Sequence, residues 1–291
     1  MNLLTKFNLI LVVLFGTGLF LVSRFAKEFL LENARQQVVH QAELMVESAQ
    51  STRNYTVEDL KPLLDKLPEQ PEFVRETVPA FAATETFNRL HKDFPEYSYK
   101  EATLNPTNPR DRANEWETDV INYFRNNPGK TEFVGERDTP TGRSLYLAHP
   151  MSAKKPCLVC HSTPEVAPAS MLRTYGPNNG FGWNEGEIVA SQIVSVPMSL
   201  PVSIADKAYQ RLLIYLVGIF IVTLATVDLL LVFIVIRPVQ KLADNADRLS
   251  KGDLEAPQLD IRGKDEISAL TASFNRMDVS MRKALAMIQD E

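Results

Sequence analysis

Residues 212–236 read LLIYLVGIFIVTLATVDLLLVFIVI, an apolar run of 25 residues in which Asp228 is the single charge. As a helix rising about 1.5 Å per residue, the run extends about 37 Å, enough to cross a bilayer with some tilt. A carboxylate is costly in lipid, so we expect Asp228 to face a partner helix or a dimer axis, or to snorkel towards the interface. The run predicts a transmembrane helix.

A shorter apolar run, FNLILVVLFGTGLFLV, begins at Phe7. It is long for the apolar part of a signal peptide, and no Ala-x-Ala cleavage pattern follows it. The sequence beyond it continues with a helical pattern. We therefore predict an uncleaved membrane anchor over residues 7–23.

The basic residues beside each run indicate the orientation. Arg237, Lys241, Arg248 and Lys251 follow the second run, which favours a cytoplasmic C-terminal end. Two spans place both ends on one side, so the intervening segment lies across the membrane. The predicted protein is a two-pass plasma-membrane protein in contact with lipid. Its parts are a first span (7–23), a periplasmic domain (24–210), a second span (212–236) and a cytoplasmic segment (237–291).

The charge balance and the lack of catalytic motifs limit the function classes. Net charge is −5, which gives no support to a nucleic-acid role. No catalytic triad, phosphate-binding loop or pair of catalytic carboxylates emerges from the sequence. We do not expect an enzyme.

The cytoplasmic segment has apolar residues at heptad-like spacings over 239–249 and again over 267–288, on either side of Gly252. Two such short helices cannot bury both apolar seams alone, which predicts a homodimer with four helices around one core. The segment closely resembles a HAMP domain at Pro238-Val239, Gly252-Asp253-Leu254 and Asp265-Glu266-Ile267. The resemblance implies that membrane-span movement is passed to an output module. No output module follows in this sequence, so we expect a separate signalling protein to receive the signal.

The periplasmic segment contains the only two cysteines of the chain, in KPCLVCHSTP at residues 155–164. A zinc site needs more ligands than this sequence groups together, and a thioredoxin-like pair should open a helix in a βαβ unit, whereas here prolines indicate a loop. A simple disulfide leaves His161 unexplained. Covalent haem c uses all three residues, with Cys157 and Cys160 holding the porphyrin and His161 ligating iron.

Other residues are weaker candidates for the same site. Met45 lies on an apolar helical stripe with Val38, Ala42 and Ala49, so it is predicted to face the core and to be a sixth iron ligand, whereas His40 should face water. The alternatives are a core methionine, ligation by His149, or five-coordinate iron.

Two arginines and two aromatic residues are candidates for contacts with the haem. Arg53 and Arg143 are predicted to pair with haem propionates, or else to be ordinary surface arginines. Trp183 and Phe181 would pack on the porphyrin or fill the core.

Helical patterns over about 24–52, 57–66, 82–92 and 113–127 precede strand-like runs at 131–135, 143–148 and 187–197. This order predicts an α+β domain of PAS-like type.

Four segments in order resemble the cyanobacterial c-type-haem, PAS-like sensor family formerly classed as a domain of unknown function, over roughly residues 28–205. They are ARQQVVHQAELMVESAQSTRNYT, NPTNPRDRANEWE, LAHPMSAKKPCLVCH and FGWNEGEIVASQIVSVP. The resemblance implies a PAS-like fold, attachment at Cys157 and Cys160, and ligation by His161. A distal cysteine occurs in the family, but this chain has no third cysteine.

The sequence therefore predicts a membrane-bound haem sensor of redox state or of a diatomic gas, which signals through its HAMP segment. The alternative is a membrane-tethered c-type cytochrome for electron transfer, which would have no use for a HAMP segment.

Overall fold

A computed structural model describes residues 3–66, 72–140, 142–253, 257–260 and 263–289. The chain forms two compact units, residues 27–209 and residues 1–26 with 210–291. The first unit contains the β-sheet, and the second contains both apolar runs and the C-terminal helices. Leu254, one of the HAMP-like positions, lies outside the described residues.

The helices and strands of both units are numbered here in chain order over the described residues. The helices are α1 (Leu3–Tyr55), α2 (Lys61–Leu64), α3 (Pro79–Asp93), α4 (Glu115–Asn126), α5 (Lys155–His161), α6 (Ala169–Tyr175), α7 (Ser199–Leu230), α8 (Arg237–Ser250) and α9 (Glu266–Gln289). The strands are β1 (Ser98–Thr103), β2 (Phe133–Thr139), β3 (Gly142–Ser152) and β4 (Ile188–Pro197). Thr56–Leu60 and Leu231–Ile236 are π-helical, and Arg75–Thr77 and Pro109–Asp111 are 3-10 turns.

The four strands form one antiparallel sheet in the order β1-β4-β3-β2. β4 is central, because its Val194 lies opposite Tyr99 of β1 on one side and Leu147 of β3 on the other. Helices cover both faces of the sheet. The predicted α+β fold class, with two apolar helices and a C-terminal helical segment, is confirmed.

One face of the sheet packs against α1 and α3. The α1 stripe buries Val38, Ala42, Val46 and Ala49 completely or nearly so. This spacing of four, four and three is that of one helical face. Leu145, Leu147, Val194 and Val196 oppose it from the sheet.

The other face packs against α4. Ala148 and Ile193, which alternate with the residues of the first face, contact Val120, Ile121 and Phe124 of α4. α4 begins at a capping box, in which the Asn114 side chain accepts from the Glu117 N–H and the Glu117 carboxylate accepts from the Asn114 N–H. The cap fixes the start of the helix and so its position across the sheet.

Strand β1 is not among the predicted strands. Its sequence, SYKEAT, lacks the apolar alternation of a half-buried strand, since Glu101 stands where an inward apolar residue is expected. Glu101 is 4% exposed and is paired with Arg53 of α1. The ion pair replaces apolar burial at this edge of the sheet.

The second unit contains two helices long and apolar enough to cross a membrane, and their apolar windows are not buried within the chain. They contact each other through Phe15 and Phe220, with ring centroids 5.4 Å apart. Asn8 Nδ2 donates to Asp228 Oδ2 at 3.0 Å. The charge of the second run therefore faces an amide of the first run.

The C-terminal helices bury Leu242 and Leu249 of α8 together with polar Thr271 and Asp278 of α9. Asn275 donates to and accepts from the backbone of Leu259, which fixes the connector against α9. The apolar seam of α9 is left uncovered, as the exposed side chains Leu270, Met277 and Met281 show.

We expect the Asn8–Asp228 contact to couple the two apolar helices. In a double-mutant cycle with Asn8→Leu and Asp228→Leu, the coupling energy should be about 1 kcal/mol, the usual range for one hydrogen bond between membrane helices. The measurement is the free energy of unfolding of the full chain in detergent micelles. The Asn8→Leu/Thr226→Val cycle is the control, since the Thr226 hydroxyl donates within its own helix, to Val222 O. Additive effects in the Asn8/Asp228 cycle would contradict the contact.

Candidate haem-attachment site

The CxxCH sequence forms a short helix, α5, and the predicted loop is wrong. Pro156 at the first turn has a φ suited to a helix start and lacks the N–H that would have no partner there. Cys157 and Cys160 are three residues apart on this helix, which places them on one face, and both are free and half-buried. The two thiols are thus presented together.

His161, the last residue of α5, is held by its Nδ1 atom. Nδ1 lies 2.7 Å from the carbonyl oxygen of Gly180 and 3.4 Å from Thr107 Oγ1. A carbonyl can only accept, so Nδ1 carries the proton and donates it, and the lone pair of the neutral ring lies on Nε2. Burial lowers the pKa of His161, which favours this neutral form. An imidazole with a fixed Nδ1–H and a basic Nε2 is oriented for a metal.

Trp183 stacks on the same imidazole, with ring centroids 4.1 Å apart and an interplanar angle of 14°. The backbone N–H of Trp183 also donates to His161 O at 3.2 Å, and the backbone N–H of Gly182 donates to Ser162 O at 2.8 Å. The indole and these backbone bonds restrict the ring to one orientation. Trp183 was predicted to contact a porphyrin or to fill the core. In the structure it stacks on His161 and also packs against the buried residues Ala153, Val189 and Ala190.

The segment that holds His161 is the glycine-rich stretch between α6 and β4. Gly180 has φ +85°, a conformation that favours glycine, and a Cβ there would collide with Thr107. Its N–H donates to Asn105 Oδ1 at 3.3 Å. The sequence analysis missed Gly180 and Thr107. The density of glycines in GPNNGFGWNEG is the signal that could have indicated a close backbone approach.

Two other chemistries fit the described residues less well. None of those residues forms a group of three or more His, Cys, Asp and Glu side chains able to hold a metal ion, as a zinc site requires. A redox-active cysteine pair needs a thiol with a lowered pKa, whereas burial raises the pKa of Cys160. The donor set fits an attached group that brings its own metal ligands.

Comparison with known proteins identifies the domain family of the chain. The domain family described as Tll0287-like matches residues 31–197, more than half of the chain. The chain belongs to the Tll0287-like family. A HAMP domain matches residues 230–277.

Two individual proteins are similar to parts of the chain. The cyanobacterial heme protein Tll0287 is 15% identical, with a TM-score of 0.42, over 55% of this chain and 94% of the solved one. Methyl-accepting chemotaxis protein McpA of Bacillus subtilis (strain 168) is 36% identical over 75 residues, 26% of this chain. This chain spans about 10% of McpA.

Within the Tll0287-like domain, Met45 is half-buried and packs against the α1-side core rather than lying at the centre of the stripe, where Val46 is buried. The charge of Lys61 acts on the Cys160 thiol. Lys61 lies 16 residues after Met45 on the same helical path, so the helical rise separates the two positions by about 24 Å. No contact among the described residues joins Met45 to His161. Its role as a ligand stays a prediction.

The two other histidines considered lie on one cavity of about 380 Å³ between α1 and the sheet. His40 is exposed, as predicted, and lies 3.4 Å from Glu43. His149 is half-buried on β3, and its Nε2 is buried with no partner among the described residues. Burial also lowers the pKa of His149. The structure places neither histidine on α5.

The two predicted propionate partners are both paired with carboxylates of the protein. Arg53 Nη1 contacts both oxygens of buried Glu101, at 2.6 and 2.5 Å. Arg143 Nη2 lies 2.7 Å from Glu136, with 66% of its side chain exposed. Their predicted haem contacts stay untested, and in this structure each arginine neutralises a neighbouring strand residue.

Arg53→Ala is expected to lower the free energy of unfolding by about 3 kcal/mol, because it leaves the buried Glu101 carboxylate without a cation. The matched control is Arg143→Ala, whose exposed pair should change stability by less than about 1 kcal/mol. Urea unfolding of the purified chain, followed by circular dichroism, gives both values. Equal effects of the two substitutions would contradict the burial argument.

Proposed function

We propose that haem c is attached through Cys157 and Cys160, with His161 as an iron ligand, and that the chain is a membrane-bound haem sensor. The observation that carries the proposal is the bond from His161 Nδ1 to Gly180 O, which leaves Nε2 free for iron beside two free thiols. Each cysteine would hold the porphyrin by adding its S–H across one vinyl group. The haem, when bound, supplies an iron that changes oxidation state and can accept a diatomic gas.

The surface around α5 supports this assignment. Val159 on α5 and Val166 just after it are 60% and 61% exposed, although both are apolar. A porphyrin face would cover such side chains. The solved relative is described as a heme protein, which agrees with the proposal for this chain. Met45 or His149 would supply a sixth ligand, or the position would be open to a gas.

Chain continuity supports a route from the site to the second apolar helix. The segment that holds His161 leads directly into central strand β4, and β4 is followed after Met198 by α7. Met198 and Val202 pack against the α1-side core, so the start of α7 is attached to the sheet. A shift of the His161 ring would pull on Gly180, then on β4, and then on α7.

The HAMP match and the chemotaxis relative support signal transduction by this chain. We propose a two-pass arrangement in the plasma membrane, with residues 24–210 periplasmic and residues 237–291 cytoplasmic. The spans would be residues 7–23 and 212–236. A separate output protein would read the HAMP domain.

The uncovered seam of α9 supports a homodimer. Leu270 is 53% exposed and Met277 is 49% exposed, whereas polar Thr271 and Asp278 are buried within the chain. An apolar seam left exposed in this way needs a second copy to cover it.

The first test is an absorption spectrum of the full chain, expressed with a cytochrome c maturation system and purified in detergent. We expect a c-type pyridine haemochrome and haem that stays bound in denaturing gels. Cys157→Ala/Cys160→Ala should abolish both. His161→Ala should keep the covalent haem but change the spectrum, whereas the control His40→Ala should leave it unchanged. Wild-type protein without covalent haem would refute the proposal.

Spectra of the reduced protein with CO or NO separate the two kinds of input. Ready gas binding would favour a gas sensor with an open or labile sixth position. A low-spin iron that ignores gas would favour redox sensing. Met45→Ala and His149→Ala then identify the sixth ligand, since loss of it shifts the low-spin spectrum. The electron-carrier alternative predicts no effect of haem state on the HAMP helices.

Cysteine crosslinking in haem-loaded membranes tests the dimer. Met277→Cys, on the seam, should form a disulfide-linked dimer on mild oxidation. The neighbouring Arg276→Cys, about 100° away around α9, should crosslink several-fold less. Equal crosslinking of both would contradict the proposed interface, and a dependence of the Met277→Cys rate on haem oxidation state would exclude the electron carrier.

A further inference from the structure

A second cavity, of about 360 Å³, lies on the α4 side of the first unit and is bounded by α3, β1, the 3-10 turn at Pro109–Asp111, α4, β2 and β4. Trp116 and Ile193 give it apolar walls. Its volume is at the lower end of the range for small-molecule pockets. None of the CxxCH residues lines it.

The charged groups on the wall of this cavity do not cancel. Lys100 Nζ lies 2.7 Å from Glu117 Oε2. Arg110 pairs with Glu85 at 2.5 Å and also lies 3.4 Å from Asp111 Oδ1. Arg137 is the remaining cation. Its guanidinium stacks over the ring of Trp116 and has no carboxylate partner among the described residues. Arg137 is therefore the cation of the cavity wall that no carboxylate of the described residues neutralises.

An unmatched hydrogen-bond donor lies beside that charge. Trp116 Nε1–H is buried and has no acceptor among the described residues. An indole nitrogen can only donate, and a buried donor without an acceptor costs about 1–3 kcal/mol. The Arg137 Cζ atom is 4.2 Å from the centre of the same ring. A guanidinium without a carboxylate and an indole N–H without an acceptor therefore belong to neighbouring residues of one cavity wall.

We propose that this cavity binds a small organic carboxylate. One carboxylate oxygen accepts from Trp116 Nε1–H, and the Arg137 guanidinium neutralises the charge with its planar set of donors. The apolar body of the ligand lies against Trp116 and Ile193. A phosphate dianion fits less well, because the cavity offers one unmatched cation and apolar walls.

The site would be a second input to the same sensor. Ile193 and Ser195 of the central strand β4 line the cavity, and β4 leads to α7. The inference does not require the haem, since no haem-site residue lines the cavity. It therefore stands or falls separately from the proposed function.

Isothermal titration of the purified full chain, in its haem-loaded form, tests the proposal with benzoate and propionate as probes and benzamide and propionamide as neutral controls. At least one carboxylate should bind, and its amide should bind at least about tenfold more weakly. Trp116→Phe, which keeps an aromatic ring but removes the N–H, should weaken carboxylate binding about tenfold. Arg137→Gln should do the same.

The matched control is Arg75→Gln, because Arg75 also stacks on an aromatic ring, 5.0 Å from the centre of Phe81, but does not line the cavity. It should leave binding unchanged. Melting curves establish that each variant is folded, and Arg137→Gln gives the answer if Trp116→Phe is not.

Three results would overturn the inference. The first is that neither carboxylate binds at about 10 mM, a weak-affinity limit. The others are equal binding of acid and amide, and equal carboxylate binding by wild type, Trp116→Phe and Arg137→Gln. Tighter binding of inorganic phosphate would assign a different anion. Binding seen only in haem-free Cys157→Ala/Cys160→Ala protein would assign the two donors to haem propionates instead.

Discussion

The first unit, residues 27–209, depends on the ion pair between Arg53 of α1 and Glu101 of β1. Glu101 is buried, and besides Arg53 it accepts from the Tyr99 hydroxyl at 2.7 Å, which in turn accepts from Gln192 Nε2 at 3.1 Å. The network joins α1, the edge strand and central strand β4 in one hydrogen-bonded group. Burial and the neighbouring Glu101 charge raise the pKa of Tyr99, so the phenol stays a donor. Without the Arg53 cation, the buried Glu101 carboxylate would oppose the pairing of the mainly polar strand β1 with the sheet.

Once β1 is in place, β4 has a neighbour on each side and becomes the rigid centre of the unit. The segment that binds His161 through Gly180 precedes β4 in the chain, and α7 follows it. In the proposed sensor, a displacement of the His161 ring would reach β4 through the backbone of the segment that follows Gly180. His161 is the last residue of the short helix α5. The hydrogen bond from its Nδ1 to Gly180 O therefore sets the orientation of the ring.

The sequence predicted what depends on periodicity and missed what depends on pairing. Val38, Ala42 and Ala49 indicated the buried face of α1 correctly, and the strand-like runs near β2, β3 and β4 were found because apolar side chains mark them. Strand β1 was missed because Glu101 is compensated by a residue 48 positions away, which no local pattern records. The helix at the cysteines was missed because prolines flank it, although a proline in the first turn starts a helix. Gly180 was missed because a side chain there would collide with Thr107, which is distant in sequence.

The proposed haem-attachment site and the proposed carboxylate cavity are both linked to strand β4, and this link has a thermodynamic consequence. If a ligand at one site shifts β4, it changes the affinity of the second site for its ligand. Binding at the second site then changes the affinity of the first site by the same factor. The coupling would pass through residues 188–197, since the Gly180 segment enters the strand and Ile193 and Ser195 border the cavity. Two inputs on one central strand would be integrated before the signal reaches α7, so the apolar helix would report the state of β4 rather than of either ligand alone.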